Sequence, residues 1–195
     1  KELGIILEVE AGVVGGEEDG VNTEDVPAEK LYTTPEDMIY VHERLSEVKG
    51  ARFMFAATFG NVHGVYKPGN VKLTPKILKN SQEYVQNKFK TGANPVDFVF
   101  HGGSGSTIEE IREAISYGVI KMNIDTDLQF AFTEGIRDYM TSKIDYLKTQ
   151  IGSPEGSDSP NKKHYDPRKW IREGEVTFNT RLEQAFADLN NVNTL

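Results

Sequence analysis

The stretch DFVFHGGSGSTIEEIREAISYGVIKMNI, residues 97–124, has a clear strand–helix–strand pattern. It begins with a short apolar run (DFVF), continues through a Gly-rich turn, and then shows Ile108, Ile111 and Ile115 at the spacing of one helix face. The letters STIE, from Ser106, predict a capping box at the start of that helix. The stretch ends in a second apolar run (VIKMNI). A strand, a helix and a second strand in this order predict a parallel βαβ unit.

The same pattern continues on both sides of this stretch. Upstream, residues 4–10 (GIILEVE) and 52–59 (RFMFAATF) are apolar runs, and Thr-Pro pairs that begin at Thr34 and Thr74 mark the starts of helices. Downstream, a long amphipathic helix follows Asp125. Strands and helices that alternate four times predict a parallel sheet.

Four such units make half of an eight-stranded barrel. The fold class that we predict is therefore an α/β (βα)8 TIM barrel, with its last four strands (strands five to eight) in residues 1–150. An open, doubly wound sheet is the alternative on the pattern alone. Because half a barrel has open edges and an uncovered apolar face, we expect the missing N-terminal half of the barrel to precede Lys1.

The tail, residues 151–195, predicts a C-terminal extension of the same domain. Its first part, residues 151–164 (IGSPEGSDSPNKKH), is rich in Gly, Ser and Pro and predicts a surface loop. Asp166 then precedes a proline at the start of a short helix, and residues 176–189 predict a last amphipathic helix.

The composition limits the partners. The chain has 195 residues and a formal net charge of −8, which argues against nucleic acid as a partner. It contains no cysteine, so a metal would have to be held by His, Asp or Glu. No apolar run approaches the roughly 20 residues that cross a bilayer, and no signal peptide opens the chain. We therefore expect no membrane partner and a cytoplasmic location.

Two histidines follow predicted strands and precede glycine, namely His63 and His101. Active sites of βα barrels form at the carboxyl ends of the strands, and neutral imidazole is a good zinc ligand. A catalytic zinc needs three protein ligands, so a third would have to come from elsewhere. A structural role for both is an equal alternative at this point, and we interpret His42 and His164 as structural.

Two further segments suggest phosphate and proton chemistry. The GGSGS turn from Gly102 opens a helix, and Asp125 opens the next one, so backbone amides at both helix starts could bind a phosphate. A plain turn with a cap is the alternative. The acidic triplet Glu17-Glu18-Asp19 lies between glycines and predicts a mobile segment that could bring a general base to a substrate. A solvated loop is the alternative.

Four motifs in this order, GGEEDGV, FGNVHGVYKPGNV, FHGGSGS and KMNIDTD, resemble those of the class II fructose-1,6-bisphosphate aldolases. NKKHYDPRKW in the tail resembles the subgroup with a longer C-terminal region. The resemblance covers essentially the whole chain. It implies a homodimeric, zinc-dependent barrel lyase that acts on small sugar phosphates in glycolysis and gluconeogenesis. Such an enzyme interconverts fructose 1,6-bisphosphate with dihydroxyacetone phosphate and glyceraldehyde 3-phosphate.

The resemblance also implies roles for individual residues. His63 and His101 match two zinc ligands, and the third His and a proton-donating Asp would lie in the missing half. Glu10 matches a ligand of a second divalent metal position or of an alternative zinc placement. Glu18 matches the carboxylate that removes a proton from dihydroxyacetone phosphate, with Glu17 as its neighbour.

The resemblance further implies a set of substrate contacts. It places a monovalent cation, K⁺ or Na⁺, near the backbone of Val62 and Gly64, and it assigns the distal phosphate to an Arg from the partner subunit. The substrate-binding residues are Gly64, Gly102, Gly103 and Ser104 for a phosphate cradle, Asn123, Ile124, Asp125 and Thr126 for the rest of dihydroxyacetone phosphate, and Arg168 for the distal phosphate.

Three alternatives stay open on the sequence. A tagatose-bisphosphate aldolase would look similar, because its substrate differs at one carbon. The chain alone would be a non-catalytic fragment if the other half of the barrel were absent. Lys121 could act as a Schiff-base nucleophile, although the surrounding motif assigns its role to a metal.

Overall fold

The computed structural model describes residues 3–18, 21–22, 26–63 and 72–194. It contains two compact units, Lys1–Asp125 and Thr126–Leu195. No helix among the described residues combines the length and the apolar character needed to cross a membrane. The elements of the first unit, in chain order, are β1 (Leu7–Ala11), β2 (Gly15–Glu18), β3 (Val21–Asn22), a 3-10 helix (Ala28–Leu31), α1 (Pro35–Ser46), β4 (Phe53–Ala57), β5 (Val62–His63), α2 (Lys76–Phe89), β6 (Phe98–Phe100), α3 (Ile108–Ser116) and β7 (Val119–Met122).

Four of these strands form one parallel sheet in the order β1-β4-β6-β7. Each helix from α1 to α3 connects two neighbouring strands of this sheet. The predicted α/β organisation with a parallel sheet is therefore confirmed. Because the strands run in sequence order and in one direction, all four carboxyl ends lie at the same edge of the sheet.

The core of the first unit lies between this sheet and its helices. Phe55 and Phe98 are fully buried and meet edge to face, with 6.4 Å between their ring centroids. Met38 of α1 and Leu78 of α2 are also fully buried in the same cluster. Burying one such side chain stabilises the fold by about 1.5–3 kcal/mol, so the apolar runs and the helix faces together fix the position of the sheet.

The predicted helix starts agree with the structure at α1 and differ in detail at α2 and α3. α2 begins at Lys76, with Pro75 at the cap position and no side-chain cap from Thr74. α1 begins with the expected Thr-Pro cap, and Thr34 and Asp37 form a capping box. The box of α3 is formed by Thr107 and Glu110, one residue later than the predicted box from Ser106. In both the predicted and the observed box the carboxylate lies three positions after the cap, so the sequence pattern alone could not distinguish the two boxes.

The second unit consists of helices and one hairpin. Its elements are α4 (Thr126–Ser142), α5 (Ile144–Leu147), β8 (Ile151–Ser153), β9 (Gly156–Pro160), α6 (Lys162–Tyr165) and α7 (Pro167–Asp188).

The hairpin corrects the prediction of a loop in residues 151–164. β8 and β9 pair antiparallel there, and α6 follows them. Asn161 fixes the hairpin, because its buried side chain donates to the carbonyl oxygens of Thr149 and Gly152 at 2.8 and 3.1 Å. The Gly/Ser-rich composition of the segment gave no indication of this hairpin, which the Asn161 side chain stabilises.

α7 corrects the prediction of two separate helices in the tail. It is one helix of 22 residues that passes through Gly174 without a break. A Cβ atom on Gly174 would lie 2.9 Å from the ring of Phe132, and one on Gly135 would lie 2.3 Å from the carbonyl oxygen of Glu173. The two glycines therefore allow α4 and α7 to pack closely. This packing offsets the low helix propensity of glycine, so that neither helix is interrupted.

We expect Gly135→Ala to destabilise the protein. Alanine in a helix interior is normally better than glycine by about 1 kcal/mol, but here its methyl group would meet backbone, and overpacking costs typically about 1–3 kcal/mol. Thermal unfolding followed by circular dichroism should show a lower Tm.

Gly92→Ala is the matched control, because no atom of the described residues lies within 4 Å of a Cβ placed there. Its Tm should be unchanged or slightly higher. A Gly135→Ala variant as stable as this control would show that α4 and α7 are not in close contact at that point.

Candidate active site

Acidic side chains lie on one face of the four-stranded sheet. Side chains of a strand alternate between the two faces, so Glu8 and Glu10 of β1 share a face. Along the backbone register, Glu10 pairs with Ala56, Ala56 with Val99, and Val99 with Lys121. These residues therefore form one row across the sheet, with a carboxylate at one edge strand and an amine at the other.

His101 follows β6 and is held between the two carboxylates of β1. Its Nε2 atom lies 2.7 Å from Glu8 Oε1, and its Nδ1 atom lies 2.8 Å from Glu10 Oε2. Glu8 Oε2 in turn accepts a hydrogen bond from Lys121 Nζ at 2.6 Å. The exposed fraction of the His101 side chain is 18%, so the ring is oriented by these contacts and still accessible from one side.

His63 lies near His101, as the two strand ends predict. The ring centroids of the two histidines are 6.1 Å apart, and the rings are inclined by 33°. A zinc ion lies about 2.0–2.1 Å from an imidazole nitrogen, so the centres of two rings on a tetrahedral zinc are roughly 5.2 Å apart. The two rings would have to approach each other by about 1 Å to bind one metal ion.

The donor set around His101 also fits a metal. Glu10 Oε2 and His101 Nδ1 face each other at 2.8 Å, whereas two ligand atoms of a tetrahedral zinc stand roughly 3.3 Å apart. If these two atoms moved apart by roughly 0.5 Å, a metal ion could replace the proton between them. Within the described parts of the chain, however, no group of three or more His, Asp or Glu side chains is arranged to hold a metal. At least one further ligand must come from elsewhere.

A small second sheet brings the acidic segment next to His63. β2 pairs in parallel with β5, so that Gly16 lies opposite His63, and β2 pairs antiparallel with β3. Gly16 has φ of 96°, and a Cβ atom there would lie 2.1 Å from the carbonyl oxygen of His63. Glycine is therefore required for this approach. The backbone of Glu17 and Glu18 continues β2, which corrects their interpretation as a loop, while Asp19 and Gly20 lie outside the described residues.

Two turns, residues 61–63 and 101–103, are fixed against each other. The buried Asn61 side chain accepts a hydrogen bond from the backbone N–H of Phe59 and donates one to the carbonyl oxygen of His101, both at 2.9 Å. Gly102 has φ of 61°, and a Cβ atom on it would lie 2.1 Å from the carbonyl oxygen of Val62. Sequence analysis gave Asn61 no role, although a polar amide side chain directly after an apolar strand was a signal that it forms hydrogen bonds within the fold.

The backbone amides of two predicted substrate-binding residues form hydrogen bonds within the protein. The Gly103 N–H donates to the carbonyl oxygen of Asn123 at 3.0 Å, so this amide is already engaged within the protein. The Asn123 N–H donates to the carbonyl oxygen of Phe100 at 2.9 Å. Gly64 lies outside the described residues. Ser104, Ile124 and Asp125 follow the ends of β6 and β7, where a barrel would place its site.

Thr126 and Arg168 belong to the second unit. Thr126 is the first residue of α4. The side chain of Arg168 is 86% exposed and forms two hydrogen bonds to Asp166, from Nε to Oδ1 at 3.0 Å and from Nη2 to Oδ2 at 2.5 Å. These bonds hold the pKa of Asp166 down, to about 2. An exposed guanidinium of this kind is paired but still accessible to a ligand.

A family model for class II fructose-bisphosphate aldolases matches residues 1–194. The chain belongs to the class II fructose-bisphosphate aldolase family. It is 57% identical over 192 residues to a fructose-bisphosphate aldolase of Campylobacter jejuni, and 54% identical over 194 residues to the class 2 enzyme of Escherichia coli. These matches cover 98% and 100% of this chain.

The chain spans about half the length of the curated relatives that it matches, 54% in both cases. A crystal structure of the Campylobacter jejuni aldolase superposes with a TM-score of 0.84 at 53% identity, over 100% of this chain and 54% of the other. The chain therefore shares its fold, along its whole length, with about half of that aldolase.

We expect His101 and His42 of the metal-free protein to titrate on opposite sides of the ordinary histidine value of about 6.5. The hydrogen bond to Glu10, reinforced by the one to Glu8, raises the pKa of His101 against the opposing effect of burial. Burial between the rings of Phe53 and Phe89 lowers the pKa of His42. Imidazole NMR shifts recorded against pH in the metal-free protein should therefore show His42 losing its proton first.

The two assignments can be checked with Glu10→Gln. This variant should bring the His101 pKa down while the His42 pKa stays where it was, because the His42 ring packs against Phe53 and Phe89 and not against Glu10. A His101 titration that is at or below the His42 titration in the unsubstituted protein would contradict the geometry described here.

Proposed function

We propose that the complete protein is a metal-dependent fructose-1,6-bisphosphate aldolase, a lyase of glycolysis and gluconeogenesis. It would cleave fructose 1,6-bisphosphate to dihydroxyacetone phosphate and glyceraldehyde 3-phosphate and also catalyse the reverse condensation. One observation carries this proposal within the family: His101, at the end of a parallel strand, lies between two carboxylates and 6.1 Å from a second histidine ring. The cytoplasm as its location stays a prediction of the sequence.

We infer that the other half of a (βα)8 barrel completes the site. Three observations support this. The chain spans 54% of its relatives, β1 and β7 are both edge strands of an open sheet, and the apolar side chains of Leu3, Ile5 and Leu7 are about half exposed or more. Under this proposal the other half supplies the third His and the proton-donating Asp, residues 1–150 and 151–195 form a half-barrel and its extension, and the enzyme is a homodimer.

His63 and His101 are the residues that would hold the catalytic zinc, with Glu10 at a second divalent position. Bound zinc supplies Lewis-acid chemistry, polarising the ketone of the substrate. Glu8 and Glu10 orient the His101 ring, and Asn61 fixes the turns that carry both histidines. A monovalent cation near the backbone of Val62 belongs to the same proposal.

The remaining roles concern protons and phosphates. Glu18 would remove the proton from dihydroxyacetone phosphate, since its backbone belongs to β2, which pairs with β5, the strand that contains His63. Gly102 and Ser104 would contribute to a phosphate cradle, whereas the Gly103 amide would first have to release Asn123. Asp125, with Asn123, Ile124 and Thr126, would bind the rest of dihydroxyacetone phosphate, and Arg168 the distal phosphate from across the dimer.

Lys121 is a poor Schiff-base nucleophile in this arrangement. Its amine donates to Glu8 at 2.6 Å, so the nitrogen is held by a carboxylate and would have to leave this contact before it could attack a ketone. The contact therefore supports metal catalysis over the Schiff-base alternative.

We expect a chelator to abolish aldol cleavage and added zinc to restore it. His63→Ala and His101→Ala should each bind zinc more weakly, because a catalytic site has only three protein ligands. Zinc content after dialysis and cleavage rate are the two measurements. Borohydride treatment in the presence of dihydroxyacetone phosphate should leave Lys121 unlabelled; a labelled Lys121, or activity that survives chelation, would contradict the metal mechanism.

Glu18→Ala and Arg168→Ala should separate in two assays. Proton exchange of dihydroxyacetone phosphate with solvent requires a base but no distal phosphate, so Glu18→Ala should slow it by roughly 10²-fold or more. Arg168→Ala should leave this exchange nearly intact, while raising KM and lowering kcat/KM for fructose 1,6-bisphosphate.

Arg172→Ala is the matched control for Arg168→Ala. Arg172 lies one turn further along α7, is similarly exposed, and pairs with Glu175 at 2.8 Å. Its loss should change neither assay. Equal losses of exchange and cleavage in Arg168→Ala would mean that Arg168 acts through folding, and an unchanged KM would place it among ordinary surface charges.

A further inference from the structure

We propose that Glu8 is a positioning residue that selects the tautomer of His101, and that Lys121 holds Glu8 in place for this role. The inference rests on the proposed function, because it gives His101 the task of binding a metal. It assigns roles to a carboxylate and an amine that the aldol chemistry itself does not use.

The two oxygens of Glu8 have different partners. Oε1 lies 2.7 Å from His101 Nε2, and Oε2 accepts from Lys121 Nζ at 2.6 Å. An ionised carboxylate can only accept hydrogen bonds, so the hydrogen of this contact belongs to Nε2. Glu10 Oε2 faces the other ring nitrogen, Nδ1, at 2.8 Å, so the ring of the metal-free protein donates to both carboxylates. Glu8 is also held by Lys121, which makes the contact with Glu10 the easier one for a metal ion to replace.

The two carboxylates around His101 therefore have different roles. A metal ion bound by Nδ1 would replace the contact with Glu10, whereas the contact with Glu8 would persist on the far side of the ring. Metal-bound histidines commonly donate their other ring N–H to a carboxylate, which fixes the ring and strengthens the ligand. Glu8 is placed to accept that bond.

Lys121 reaches Glu8 across the whole sheet. β1 and β7 are its two edge strands, and three spacings of about 4.8 Å separate them in a flat sheet. The row of Lys121 contains Val99 and Ala56, whose side chains are short and buried, and it ends at Glu10, two residues along β1 from Glu8. The long Lys121 and Glu8 side chains therefore meet diagonally across the sheet, which gives a reason for a lysine on a strand whose neighbours are apolar.

The exposure of the pair argues against a mainly structural purpose. The Glu8 and Lys121 side chains are 28% and 43% exposed, and ion pairs in contact with solvent contribute little to stability. We therefore expect Glu8→Gln and Lys121→Met to leave the Tm almost unchanged and to alter metal binding. A residue that only supported the fold would show the opposite behaviour.

The test measures the zinc Kd of the complete enzyme by competition with a chelator. Glu8→Gln should raise the zinc Kd by roughly 10- to 100-fold, the usual effect of losing such a partner, because an amide can also donate to Nε2 and so stabilise the wrong tautomer. Lys121→Met should raise it by a smaller factor. In the zinc-bound enzyme, ¹⁵N NMR of the His101 ring should show a protonated Nε2 and a metal-bound Nδ1, and the share of protein in this state should fall in Glu8→Gln.

A double-mutant cycle separates the role of Glu8 from a general effect. In a His101→Ala background, Glu8→Gln should have no further effect on the zinc Kd. Lys148→Met is the control for Lys121→Met, since Lys148 forms a similarly short ion pair, with Asp145 at 2.7 Å, in the second unit. It should leave the zinc Kd unchanged.

The outcomes distinguish this inference from the proposed function. If His101→Ala does not weaken zinc binding, the proposed function itself is overturned. If His101→Ala weakens zinc binding but Glu8→Gln does so by less than twofold, only the inference on Glu8 is overturned. An effect of Glu8→Gln that is equally large without His101 would also overturn it, because Glu8 would then act by another route.

Discussion

The parallel alignment of β1, β4, β6 and β7 is the constraint on which the candidate site depends. Parallel strands place all their carboxyl ends at one edge of the sheet, and the alternation of side chains fixes which residues face the same side. Glu8 and Glu10 of β1, His101 after β6 and Lys121 of β7 meet only because these two rules act together. The fully buried Phe55 and Phe98 hold the opposite face against the helices and so maintain the register.

Close backbone contact is the second constraint. The turn after β6 lies against β5, and β5 lies against β2, with Gly102 and Gly16 at the points where a Cβ atom would collide with a carbonyl oxygen. Asn61 adds a hydrogen bond from its buried amide to the carbonyl oxygen of His101. The distance between the two histidine rings is therefore set by the backbone, which suits a site that must present ligands in one fixed geometry.

The sequence predicted the sheet well because its signals are local. Apolar runs, Thr-Pro helix starts and the strand–helix order depend on neighbouring residues, and all four parallel strands were found from them. The hairpin of residues 151–160 was missed because no short pattern shows that the Asn161 amide bonds to carbonyl oxygens 12 and 9 residues before it. The unbroken α7 was missed because Gly174 packs against Phe132 of another helix. In the site, the histidines were visible as His-Gly strand ends. The hydrogen-bond partners of Glu8, Lys121 and Asn61 were not, since they lie 93, 113 and 40 residues away in the chain.

The central claim is that His63 and His101 share one metal ion while Glu8 keeps its contact with the far side of the His101 ring. A crystal structure of the complete enzyme with zinc bound tests this most directly. We predict a zinc ion about 2.0–2.1 Å from a ring nitrogen of each histidine, with Nδ1 as the ligand atom of His101 and Nε2 still bonded to Glu8. A zinc ion bound elsewhere, with the His101 ring still bonded to both Glu8 and Glu10, would contradict the account.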